Sequence, residues 1–188
     1  MKRLERAIAG LCAAATVGWV IALAQTPTET FTATATVKGG GASASAPLAV
    51  TVTRYGSEAE REAVVAAVRD GGTAAARKVL AGMSDAGFIR LGERSTPIKF
   101  ASQRPMPTGR LVTVVTAEPI LFLGSSLPEA KPRAGYEVAV AMLDVRDHED
   151  GGGELVPAAK VGMDAKGALL IDDYGATVVW LSRLTRAK

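Results

Sequence analysis

Between residues 30 and 37 the chain alternates without a break: Thr30, Thr32, Thr34 and Thr36 fall on one side, Phe31, Ala33, Ala35 and Val37 on the other. A period of two, rich in β-branched residues, predicts a strand with one buried face. Residues 39–46, all Gly, Ser and Ala, read as a flexible connector. Leu48, Val50 and Val52 then oppose Ala49, Thr51 and Thr53 in a second alternating run, expected to pair with the first.

The period then lengthens. Ser57 followed three residues later by Glu60 is a capping box, in which hydroxyl and carboxylate satisfy each other's backbone N–H groups. It opens a helix over 58–69 with Val64, Val65 and Val68 toward the core, and Gly71-Gly72 stops it. Thr73 caps a second helix to about residue 82, with Ala76, Val79, Leu80 and Met83 at helical spacing. The pair reads as a helical hairpin over 57–83.

From Gly87 onward the pattern is β, with strands expected over 88–91, 98–103, 110–116, 120–123, 136–145, 154–161, 168–172 and 177–184. Residues 136–143 are apolar on both faces except Glu137, which suits a central strand. Short strands joined by turns favour antiparallel pairing, because parallel pairing needs long crossovers. The expected fold is a single α+β domain over 25–188: a curved, mainly antiparallel sheet, closing as far as a half-open barrel, with the helical hairpin packed on it.

Residues 1–24 change where this domain is expected to work. Lys2, Arg3 and Arg6 form a charged start, 7–20 an apolar core, and Ala22-Leu23-Ala24 a small-x-small cleavage site. That is the layout of a signal peptide cut after Ala24, giving an exported protein, periplasmic or secreted. A retained anchor is the competing reading; the apolar stretch is near the minimum span and poor in Leu and Ile. Cleavage would remove the one cysteine, Cys12, and with it disulfides and thiolate chemistry. It would also remove three cations and one acid, lowering the net charge from +3 to +1. No clustered basic face for nucleic acid emerges, and Arg183, Arg186 and Lys188 read as a solvated basic tail.

Three short runs, Thr53-Arg54-Tyr55-Gly56-Ser57-Glu58-Ala59-Glu60-Arg61, Gly87-Phe88-Ile89-Arg90 and Thr116-Ala117-Glu118-Pro119-Ile120, resemble an uncharacterised family of small exported bacterial proteins. The resemblance implies export and a single domain. It assigns no catalytic, cofactor-binding or metal-binding residue.

The densest polar cluster runs from Asp144 through Asp147, His148, Glu149 and Asp150 to Glu154. Its acids could offer oxygens to a hard cation, but the spacing misses the twelve-residue calcium loop, and a hairpin turn explains Asp and Gly there. His148 is the one histidine and is expected to be solvated. Zinc sites and the usual triads lack their residues, and Ser95, Ser102, Ser125 and Ser126 have no nucleophile-elbow context. The threonine ladder reads as a solvated strand face and Trp180 as core. The Pro-rich loop 124–135, with Leu127, Lys131 and Arg133, follows an apolar run and is the candidate binding loop.

These residues lead to an exported, non-catalytic domain with no cofactor and no nucleic-acid partner, and no membrane contact once the signal is removed. Its expected partner is a small apolar ligand in the curved sheet. Two alternatives stand beside it. One is an envelope protein–protein interaction module using strand 30–37 as an exposed edge; the other is a hydrolase built on carboxylates or a Ser–Lys pair.

Overall fold

A computed structural model describes residues 28–39, 42–121, 133–165, 169–173 and 178–187. The candidate signal segment 1–24 and most of the candidate binding loop lie outside the described residues. The elements are β1 (Glu29–Gly39), β2 (Ala42–Val52), α1 (Glu58–Ala81), β3 (Gly87–Leu91), β4 (Arg94–Met106), β5 (Gly109–Thr116), β6 (Val138–Arg146), β7 (Gly151–Met163), β8 (Leu169–Asp173) and β9 (Val179–Arg186).

Each strand from β1 to β7 pairs antiparallel with the next, and β9 seats between β7 and β1. The result is a closed eight-stranded barrel and not a half-open one. Closure pairs each of the eight barrel strands on both sides, while β8 pairs with β7 alone among the described residues. β8 pairs with β7 beyond the stretch that β9 occupies, so the two short strands follow one flank of β7 in succession.

Alternation sorts the side chains between the two faces. Phe31, Val50, Ile89, Val112, Val114, Ala141, Leu143 and Leu155 point inward and are almost wholly buried in one apolar cluster. A register shift between Ile98 and Phe100 turns Ile98 and Ala101 inward while Phe100 faces out. A second irregularity, with Arg183 at φ 53°, keeps both Leu181 and Leu184 inward on β9.

The outer wall of β4, β6 and β7 is covered by α1, where Val68, Ala76 and Leu80 pack on Phe100, Val138, Val140, Val156 and Val161. The capping box forms: the Glu60 N–H donates to the Ser57 hydroxyl at 3.2 Å and the Ser57 N–H to the Glu60 carboxylate at 2.8 Å. The expected hairpin is instead one helix with a break, where Gly71 and Gly72 depart from helical geometry and Gly72 reaches φ 60°. That break places Thr73 against β7. Its hydroxyl accepts the Val161 N–H at 2.8 Å and donates to the Val161 carbonyl at 3.1 Å.

Two further expectations are corrected. Residues 42–46 are not connector but strand, since β1 and β2 stay in register from Glu29↔Val52 to Gly39↔Ala42. Ile120 and Leu121 are not strand, because the chain leaves the sheet after Thr116.

Candidate functional site

The two ends of the barrel differ in chemistry. At one end the inward alternation runs on into polar residues. Glu29 lies two before Phe31, Arg110 two before Val112, Gln103 two after Ala101 and Arg186 two after Leu184. Glu29 is 5% exposed. Its Oε1 accepts from Arg110 at 2.6 Å and its Oε2 from the Tyr55 hydroxyl at 2.6 Å, while the Arg186 guanidinium forms an ion pair with Oε1 at 3.1 Å. Arg110 also donates to Gln103 at 2.7 Å and lies 5.9 Å from the centre of the Phe31 ring.

Burial alone would raise the Glu29 carboxyl, but hydrogen bonds from Arg110 and Tyr55 and the charges of Arg110 and Arg186 outweigh it and hold the group below the usual carboxylate range. Burial pushes the Tyr55 phenol up, and the neighbouring Glu29 carboxylate pushes it further. Both oxygens of Glu29 are engaged and the Tyr55 proton is donated. The cluster is a bolt across this end, not an acid–base pair awaiting a substrate. Arg186, expected in a solvated tail, is part of it.

At the other end Thr116 directs the chain across the barrel mouth. Its buried hydroxyl accepts the Ala139 N–H at 2.9 Å and donates to the Glu118 carbonyl at 2.5 Å. Residues 117–121 then form a strap. Ile120 inserts into the interior cluster, 6% exposed, and its N–H donates to the Pro157 carbonyl at 2.7 Å. Arg77 of α1 ties the strap down by donating to the Ala117 carbonyl at 3.2 Å.

Grooves open on both sides of this strap. One, of about 260 Å³, is lined by Ile89, Leu91, Ile120 and Leu121, with Arg94 and Glu118 at its polar side. The other, of about 460 Å³, lies between Arg77, Pro119, Leu121, Arg133, Tyr136 and Glu137. Arg133 sits 5.0 Å from the centre of the Tyr136 ring. Of the candidate binding loop 124–135, residues 133–135 are described, and Arg133 does reach this groove; Leu127 and Lys131 lie outside the described residues.

The remaining candidates are scattered. Asp147, His148, Glu149 and Asp150 form the exposed turn between β6 and β7. Arg146 there pairs with Asp144 at 3.2 Å and Glu149 at 2.5 Å. Among the described residues no three His, Cys, Asp or Glu side chains gather closely enough to hold a metal ion. Ser95 is exposed and Ser102 half-buried on β4, and Lys99 is held by Asp85 at 2.7 Å. Ser125 and Ser126 lie outside the described residues. Trp180, expected in the core, faces outward and is 53% exposed.

Strand 30–37 is no edge: β2 pairs with it on one side and β9 on the other. No helix among the described residues is long and apolar enough to cross a membrane. Fold and site together define a mostly β protein, a closed antiparallel barrel with one helix on its wall, bolted at one end and strapped at the other. Compared with family models, with curated proteins and with solved structures, the chain matches none of them.

Proposed function

We propose that this is an exported, non-catalytic binding domain that takes a small, largely apolar ligand at the strapped mouth of the barrel. The observation that carries the reading is the groove beside the strap, where half-buried Pro119 and Leu121 stand over the buried aliphatic side chains of Ile89, Leu91 and Ile120. An eight-stranded barrel is just wide enough for side chains to fill or for one small ligand. Here apolar side chains, Phe31 among them, fill the described interior, so the mouth takes the role first expected of the sheet's concave face. Export rests on the pattern of residues 1–24.

The test is titration of the folded protein with the apolar fluorophore N-phenyl-1-naphthylamine. Saturable binding is expected. In Leu121→Arg, at a half-buried strap position, affinity should fall at least about tenfold while the thermal midpoint holds, because the charge would be buried against the ligand. No saturable binding, or equal affinity in Leu121→Arg, contradicts the reading.

A further inference from the structure

The wall opposite α1, formed by β9, β1, β2 and β3, has no helix over it among the described residues and carries an unusual set of outward side chains. Thr36 lies opposite Trp180 on β9 and Ser45 on β2; Thr34 lies opposite Ser182 and Pro47. Thr32 lies opposite Thr185 and Ala49, and Ala49 in turn opposite Arg90 on β3. The hydroxyls are linked across strands, Thr30 to Thr51 at 3.1 Å, Thr32 to Thr185 at 3.2 Å and Thr36 to Ser45 at 3.0 Å. The two exposed pairs, Thr32–Thr185 and Thr36–Ser45, each use one O–H hydrogen and keep a second for a ligand, along with free acceptor lone pairs.

A groove of about 480 Å³ crosses this wall over Ala49 and Pro47, between Thr32 and Arg90, with Glu93 at its rim. Arg90 is exposed and has no ion-pair partner among the described residues. A second cation, Arg183, lies on the wall with its guanidinium donating to the Thr34 hydroxyl at 3.2 Å. Trp180 supplies a large exposed aromatic surface at the far corner.

We infer that this wall binds an acidic glycan, a chain of sugar units some of which carry carboxylates. Trp180 stacks on the apolar face of a sugar ring, since an indole offers a flat amphipathic surface. The bonded threonine and serine hydroxyls meet sugar hydroxyls in fixed orientations. Arg90 takes a carboxylate through its planar fork of donors, with Arg183 adding positive charge between the two. Trp180 and Arg90 are three strands and four residues apart, roughly 20 Å along the wall, which calls for an oligosaccharide and not a single sugar. The site is separate from the strap grooves, and its test is independent of theirs.

The measurement is electrophoresis of the native protein through gels containing polygalacturonate or, as a neutral glycan, dextran. Migration should be retarded by polygalacturonate and not by dextran. Trp180→Ala and Arg90→Gln should each weaken the interaction at least about tenfold. Both positions are exposed, so the fold should survive, as an unchanged thermal midpoint would verify. Arg104→Gln, an exposed cation on β4, should bind like the parent and controls for general charge attraction. Absence of retardation, equal retardation by dextran, or full binding by Trp180→Ala or Arg90→Gln would each overturn the assignment.

Discussion

Glu29 sits where a carboxylate is costly unless every oxygen finds a donor; Arg110 and Tyr55 provide those donors, and Arg186 adds a positive charge beside them. Because its folded value lies below the ordinary 4.5, its contribution to stability is present above that value and is lost as pH falls through the folded one. Glu29→Gln removes the titration. The stability gap between parent and variant, measured by urea unfolding, should therefore be widest near neutral pH and shrink steadily as pH drops below about 4.5. A gap that stays constant in acid would show that Glu29 does not carry this charge. The bolt residues were within reach of the sequence. Carrying each strand's alternation two positions further puts Glu29, Gln103, Arg110 and Arg186 on the inward side. What concealed them is the sound expectation that a charge at a strand end is solvated. Trp180 erred the other way: an aromatic in a strand is usually buried, yet its place opposite Thr36 belongs to the outward face.

Among the elements, α1 and β7 depend on one another. β6 pairs with β7 as far as Val138↔Ala159, and two residues further on the Thr73 hydroxyl serves both backbone groups of Val161. The break at Gly71-Gly72 makes this possible, because a continuous helix would not turn Thr73 onto the strand. Thr73→Val keeps the shape but leaves two buried backbone groups without a partner, a loss of about 1–3 kcal/mol. The thermal midpoint should fall by several degrees, about 2–4 °C per kcal/mol for a chain of this size. An unchanged midpoint would mean that the hydroxyl is not what docks the helix. Local pattern made most elements legible, because alternation and capping are properties of neighbouring residues. The start of α1 and strands β3, β5 and β6 fall close to where periodicity places them. The exceptions have local causes too. Residues 42–46, all Ala and Ser, look unstructured until partners hold them in register, and Ile120 and Leu121 are apolar because they plug an end, not because they line a strand.

For the whole molecule, closure is what the sequence concealed. Nothing near residues 179–186 says that they will lie between β1 and β7, since that pairing spans nearly the entire chain. Once the barrel is closed its interior is shared among eight strands, and small residues such as Ala33, Ala35, Ala101, Ala139 and Ala141 make up much of its filling. One end is then shut by charge and the other by an apolar strap, and the mouth beside Glu118, Pro119, Ile120 and Leu121 is where we propose that a ligand binds. The most direct test is native mass spectrometry of the protein purified from its own host, with Leu121→Arg in parallel. The account predicts extra small-molecule mass on the parent that is shed on denaturation and greatly reduced on the variant. A parent mass equal to the polypeptide alone, or extra mass carried equally by Leu121→Arg, would contradict it.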